Sequence, residues 1–492
     1  MEAFKVDESQ NSVLLTWRNV SVYVLDLRRK VCKQVVTNVR GAVQPGELTG
    51  ILGGSGSGKS SLMTALAFRN PIYYLASLTV QGDIRVNGCP VDPQYMRQNS
   101  GYMHQDDIFI DTMTVIEHLW FMARMKLDRD IEKSEIESRI KILLASVGLS
   151  ARRNVTIGNT ESNKVLSGGE KKRLAFATEL LSDPPILFLD EPTTGQDAHT
   201  ASILVDQLQS FASRGRTVLC TIHQPSSAVF RSFQKIILVA EGRIAFAGTN
   251  EEAIKFFSSL GYVCPHTYNP ADFLIGTIVA TSSNRRGEVM SIQRICDAFL
   301  SSDACKEIDL IIQLQLHIAE FKEHWHAMRR KAKKAPKFYT KLRWLIHRGA
   351  VQVIRDPSLQ ILRILQKLAI ALVAGLCFFG AIKLDQLGVQ AVQGVIFIMV
   401  SENTFFPMYS TLSLIPQEFP LFFREYKAGM YPVHLYYIAR ITSLLPGLIL
   451  EPIIFTSIVY WLAGLANTVS AFFTTLGIVL LTMNVSTACG TT

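Results

Sequence analysis

The chain has 492 residues, 48% of them hydrophobic, with a mean hydropathy of +0.21 and a net charge of +9. That length accommodates two or more domains, and a positive mean hydropathy argues against a wholly soluble protein. The basic surplus gathers at Arg329, Arg330, Lys331, Lys333, Lys334, Lys337, Lys341, Arg343, Arg348 and Arg355, just ahead of the first long apolar stretch. Lys and Arg at that place mark the cytosolic flank of a membrane helix and attract anionic lipid, so the lipid bilayer is the expected partner and nucleic acid is not.

The first ten residues, Met1–Gln10, are polar and carry acids, unlike a cleavable signal peptide. The eight cysteines show no metal-ligand spacing, and the six nearer the N-terminus are expected to stay reduced. An early apolar strand, Val20–Val24, carries Tyr23. The apolar run Leu48–Leu52 then feeds Gly53-Gly54-Ser55-Gly56-Ser57-Gly58-Lys59-Ser60, followed by Ser61 and a helix beginning near Lys59. Strand, loop spacing and helix together make a phosphate-binding loop. Its glycines let backbone N–H groups turn inward around phosphate oxygens, and the helix N-terminus adds partial positive charge. Lys59 supplies a point charge to the outer phosphates, and the Ser60 hydroxyl suits magnesium.

Further along, Ser167-Gly168-Gly169-Glu170 opens a helical run with the spacing of a capping box. The apolar strand at residues 185–191 ends in Asp190 and Glu191, where doubly wound sheets bind ligands. Asp190 is placed to hold magnesium and Glu191 to polarise an attacking water. Another apolar strand, Thr217–Ile222, ends at His223. Gln105 and His223 carry no assigned role by themselves.

From about Ile361 the chain turns into long apolar stretches, with candidate spans at 362–380, 391–413, 438–462 and 469–489. About 20 apolar residues of helix cross a bilayer. Arg363 and Lys367 open the first span and are expected to snorkel to the cytosolic surface. Arg424 and Lys427 in the second loop, against few charges in the others, place the N-terminus and that loop in the cytosol. Glu402, Asn403 and Thr404 interrupt the second span and Glu451 the third. Polar groups in a bilayer face a cavity or a partner, so Asn403, Thr404 and Glu402 either line a substrate path or pair with neighbouring helices. Asn484-Val485-Ser486 matches a glycosylation pattern but lies inside the fourth span.

The phosphate loop, Leu166–Glu170 and the acidic strand about 20 residues later resemble the ABC (ATP-binding cassette) family. The resemblance implies an α/β nucleotide-binding domain of the P-loop NTPase class over 1–280, a basic linker and connecting helix over 281–360, and an all-α transmembrane domain over 361–492. It implies ATP and Mg2+ as cofactors. Gln105 corresponds to the glutamine loop, touching magnesium and the attacking water, and His223 to the switch histidine. Ser167, Gly168, Gly169 and Glu170 correspond to the signature, Asp197 to the D-loop, and Tyr23 to the adenine-stacking aromatic. The signature of one subunit closes over the phosphate loop of another. With one copy of each motif, this chain is expected to be a half-transporter acting as a homodimer or heterodimer.

An ATPase module ahead of the membrane segments resembles subfamily G, as do Asn269-Pro270-Ala271-Asp272-Phe273, Arg355-Asp356-Pro357 and Phe422-Phe423-Arg424-Glu425. GYMHQDDIFI, KKRLAFATELLSDPP, TIHQPSSAVF and AEGRIAFAGT resemble the insect White, Scarlet and Brown group. That group implies ATP-driven movement of small molecules, such as tryptophan metabolites, guanine derivatives or biogenic amines, at the plasma membrane or a vesicle or pigment-granule membrane. Gln196 stands where the D-loop usually has leucine. The subfamily has six spans, and the sequence stops in the fourth, so the resemblance implies a fragment or a shortened isoform, and a non-transporting subunit is the second expectation. A soluble ABC ATPase is the third, and the apolar spans oppose it.

Overall fold

The structure is a computed structural model and describes residues 12–26, 31–69, 76–158, 165–265, 267–283, 289–321, 334–383 and 385–491. Arg329, Arg330, Lys331 and Lys333 of the basic cluster, and the polar segment Met1–Gln10, lie outside the described residues. The chain divides into two compact units, one built from 1–107, 114–155 and 159–335, the other from 108–113, 156–158 and 336–492.

The first unit holds two sheets. β1 (Leu15–Asp26), β2 (Val31–Val43), β4 (Ala76–Val86) and β5 (Cys89–Pro90) form an antiparallel sheet in the order β2-β1-β4-β5. β3 (Leu48–Leu52), β6 (Ser100–Met103), β7 (Ile186–Asp190), β8 (Thr217–Thr221), β9 (Lys235–Ala240) and β10 (Arg243–Gly248) form the second, in the order β10-β9-β3-β8-β7-β6. All of its pairings are parallel except β10 with β9. Every residue of β3, β7 and β8 is buried. Helices cover both faces of such a sheet, which explains why these strands read as unbroken apolar runs rather than alternations. Because β3, β6, β7 and β8 point the same way, their C-terminal ends reach one edge together. Gly53, Gln105, Glu191 and His223 follow those four ends.

The second unit is helical. A helix at Phe338–Arg355 precedes four others, Ser358–Cys377, Gln386–Lys427, Val433–Ala463 and Val469–Thr491. Each of these four is long and apolar enough to cross a membrane. Ala371, Ala374, Val395, Met399, Phe455, Val459, Ala463 and Val479 form their common core. Small residues let such helices approach closely. Gly375 sits against Leu462, where an added Cβ would lie 2.7 Å from that side chain. The second membrane helix outruns its apolar stretch, passing Pro407, Pro416 and Pro420 to end at Lys427. Arg424 and Lys427 therefore occupy its last turn rather than a loop.

The same unit buries Arg348, Glu425 and Lys367, each with a charged partner. Arg348 Nη1 donates to both carboxylate oxygens of Glu425, at 2.7 and 2.8 Å, and the Tyr431 hydroxyl also donates to that carboxylate. Lys367 departs from the snorkelling expectation. It is 1% exposed, forms an ion pair with Glu402 at 3.1 Å, and lies over the rings of Phe406 and Phe455. A carboxylate on the next helix gives the ammonium a partner inside the bundle, so reaching the surface gains it nothing. Arg355 Nη1 donates to the Thr112 carbonyl at 2.9 Å, and Arg424 donates to that of Ile108.

Candidate functional site

The phosphate loop follows β3 and ends at Gly58, the N-cap of the helix Lys59–Leu66. Gly53, Gly56 and Gly58 have φ of 153°, 75° and 101°. An added Cβ on Gly53 would lie 2.2 Å from the Val239 carbonyl oxygen, so this turn requires glycine. Ser55 and Gly56 form its exposed tip, and the Ser57 hydroxyl is buried without a hydrogen-bond partner among the described residues. Lys59 is 5% exposed, and its Nζ donates to the carbonyls of Gly53 and Gly54 at 2.9 and 2.8 Å. Burial pulls its pKa down while Glu191 and Asp190 push it back up. The helical Ser61 is partly exposed, and its carbonyl accepts the Thr64 hydroxyl at 3.0 Å.

The parallel register sets Asp190 of β7 opposite Thr221 of β8. Asp190 Oδ1 accepts the Ser60 hydroxyl at 2.9 Å and the Thr221 hydroxyl at 2.7 Å. Burial raises the Asp190 pKa, against the lowering effect of those two hydrogen bonds. Glu191 has φ of 46°, in the left-handed region, and its N–H donates to Thr221 Oγ1 at 2.9 Å. Glu191 Oε2 accepts Gln105 Nε2 at 2.9 Å and the Thr194 hydroxyl at 3.1 Å. Lys172 Nζ, from the helix Gly168–Leu180, donates to the Gln105 carbonyl and pairs with Asp107 at 3.4 Å. Ser60, Asp190, Glu191 and Gln105, singled out from the sequence, thus stand in one hydrogen-bonded chain. Thr221, Thr194 and Lys172 complete it and escaped sequence reasoning, because their roles arise from strand register and helix packing rather than from a local pattern.

The remaining residues stand apart from this chain. Ser167 caps the helix Gly168–Leu180, and its capping box with Glu170 is complete. Burial pushes the Glu170 pKa up, but the Ser167 amide and the Arg152 guanidinium outweigh it and hold it below the usual carboxylate value. Ser167 and Gly168 are exposed. Among the described residues no hydrogen bond joins them, or Gly169 and Glu170, to the phosphate loop of the same chain. Asp197 caps the helix Ala198–Ala212 through the Thr200 amide at 2.9 Å. His223 is exposed. Tyr23 is half-buried opposite Gln34, one residue before Val35 and Val36, which flank Gly58.

The donors fit a magnesium nucleotide. Ser60 and Asp190 offer hard oxygen atoms close together, as Mg2+ prefers. Among the described residues no three His, Cys, Asp or Glu side chains converge on a metal site. A cation here would therefore complete its shell with phosphate oxygens and water, the usual Mg2+ arrangement at nucleotide sites.

Sequence models described as ABC transporter and ABC-2 type transporter match residues 36–194 and 340–492, and a second ABC-2 type transporter model matches residues 223–296. "Protein scarlet" of Drosophila melanogaster is 46% identical over 487 residues, covering 99% of this chain and 72% of its own length. "Protein white" of the same organism is 36% identical, covering 93% and 66%. The "Broad substrate specificity ATP-binding cassette transporter ABCG2" of Sus scrofa is 35% identical, covering 91% and 69%.

Proposed function

The chain belongs to the White/Scarlet group of ABC subfamily G half-transporters, and on that premise we propose that it hydrolyses ATP in a site shared with a second subunit to move a small molecule across a membrane. The observation that carries this reading is the hydrogen-bonded set Ser60–Asp190–Thr221–Glu191–Gln105 at the converging strand ends. Glycine N–H groups and Lys59 bind and orient the phosphates. Ser60 and Asp190 would hold Mg2+, which when bound would supply charge neutralisation at the phosphoryl oxygens. Glu191 accepts a proton from the attacking water, and Gln105 and Thr194 orient the Glu191 carboxylate. His223 contacts the terminal phosphate, and Tyr23 stacks on the base.

Ser167 and Gly168 supply the lid over a second subunit's phosphate loop; their exposure supports this. The partner is a second copy or another subfamily G half-transporter. ATP closes the paired cassettes and hydrolysis reopens them. Gln105 passes that movement on, followed within three residues by Ile108–Met113, which the helical unit holds through Arg424 and Arg355. The cytosolic placement of the ATPase domain, and a plasma or vesicle membrane, belong to the same proposal.

On the substrate path, Asn403 is the strongest candidate. It is 0% exposed, and its Oδ1 is buried without a hydrogen-bond partner among the described residues. Glu402 is held by Lys367, which supports the pairing role for that carboxylate. Candidate cargo is a pigment-precursor type of molecule, such as a tryptophan metabolite or guanine derivative. Glu191→Gln should trap Mg-ATP and abolish turnover; undiminished ATP hydrolysis would remove Glu191 from its role. Asn403→Ala with unchanged transport and selectivity would remove Asn403 from the path.

A further inference from the structure

Asp190 and Glu191 share a support to which none of the sequence motifs assigns a role. Thr221 ends β8, is 0% exposed, and lies in register with Asp190 on one side and Ile51 on the other. A hydroxyl has one proton and two lone pairs, and here both capacities are used. The proton goes to Asp190 Oδ1 at 2.7 Å, and a lone pair accepts the Glu191 N–H at 2.9 Å. With Ser60 on the same atom, Asp190 Oδ1 accepts two hydroxyls. That fixes the rotation of the carboxylate and leaves Oδ2 without a hydrogen bond among the described residues. The Glu191 backbone, at φ of 46°, occupies a conformation strained for a non-glycine residue, which persists only where its surroundings enforce it. The Thr221 hydroxyl is one of those surroundings.

We infer that Thr221 is the positioning residue of the hydrolytic centre: its one hydroxyl sets both the cation-binding carboxylate of Asp190 and the left-handed backbone that aims Glu191. The inference rests on the roles of Asp190 and Glu191 proposed above. It also gives the strand leading to His223 a direct hold on both acids, two residues before the histidine. Thr221 is wholly buried, methyl included, so hydroxyl and packing can be separated by substitution. Thr221→Val keeps the shape and deletes the hydrogen bonds, while Thr221→Ser keeps the hydroxyl and deletes a methyl.

The test uses the purified chain in detergent, with a fluorescent ATP analogue as the probe and Mg2+ as the titrant. For Thr221→Val, nucleotide affinity without Mg2+ should stay within about twofold, because the phosphate loop is untouched. The Mg2+ concentration for half-maximal effect should rise about tenfold, the weight of a hydrogen bond to a charged group. ATP turnover should fall about tenfold or more with KM nearly unchanged, and Thr221→Ser should restore both. Thr221→Ala, tested in parallel, should repeat the Mg2+ shift and serves if the valine variant does not fold. Normal Mg2+ dependence and turnover in Thr221→Val or Thr221→Ala would overturn the inference. So would a Thr221→Ser variant as impaired as Thr221→Val, since packing would then be the cause. Asp190→Asn and Glu191→Gln separate the two levels. If they hydrolyse normally, the reading of the acids fails; if they are inactive while Thr221→Val is normal, only the role of Thr221 fails.

Discussion

Gly53 shows how a single residue can be both legible and indispensable. Its proposed role is readable from sequence because a phosphate cradle tolerates no side chain at fixed positions along a strand–loop–helix unit. Gly53→Ala would drive a methyl to 2.2 Å from the Val239 carbonyl oxygen at a backbone φ of 153°. Nucleotide affinity should fall at least tenfold, with a stability loss of about 1–3 kcal/mol; an ATP-analogue titration and a denaturant melt check the two parts. Thr221 was illegible for the opposite reason. In Thr217–Thr221 it reads as one more β-branched strand residue, and only a register with a strand some thirty positions earlier gives its hydroxyl a task. Lys172 is similar, one basic residue in a basic run until helix packing brings it to the Gln105 carbonyl.

At the scale of elements, the helix that begins at Gly168 also fixes the strand leading to Gln105. Glu179, on that helix, accepts the Tyr102 N–H of β6 at 3.3 Å and pairs with Lys126 at 2.7 Å. Burial pushes the Glu179 pKa up, but Lys126 and Arg69 outweigh it and hold it below the ordinary carboxylate value. A carboxylate with a depressed folded pKa contributes stability above its unfolded pKa and loses it as pH falls through the folded one. The wild-type ATPase unit should therefore lose stability more steeply between pH 6 and pH 3 than Glu179→Gln does, which urea melts across that range (about one melt per pH unit) can resolve.

Among the membrane helices, breaking the Lys367–Glu402 pair by Lys367→Met alone should cost about 3 kcal/mol, the low end for a buried pair, because the half-buried Glu402 carboxylate is left uncompensated. Adding Glu402→Gln should restore most of that loss, as read by thermal melts in detergent. The apolar runs made these helices readable. The partner of Lys367 was not readable, since it lies on the next helix, outside any local window. The extension of the second helix through three prolines was hidden too, because proline reads locally as a break.

On the scale of the whole molecule, the order of ATPase domain and membrane helices was plain in the sequence, and so was the family. What one chain cannot display is the shared site proposed above, since Ser167 and Gly168 are exposed in it. Glu191→Gln in the presence of ATP should shift a gel-filtration peak toward a paired species, and adding Ser167→Arg should abolish that shift. An unshifted Glu191→Gln protein, alone or with its mate, would count against the shared site. The Lys367–Glu402 pair also constrains how the protein is made. Each helix leaves the ribosome separately, and a lone charge well inside a membrane helix costs up to about 2.5–3.5 kcal/mol at the translocon. The first helix should thus enter the lipid poorly until the second arrives, so the two would be laid down as a hairpin. Nascent chains cut before residue 402 should partition less completely than those that include it.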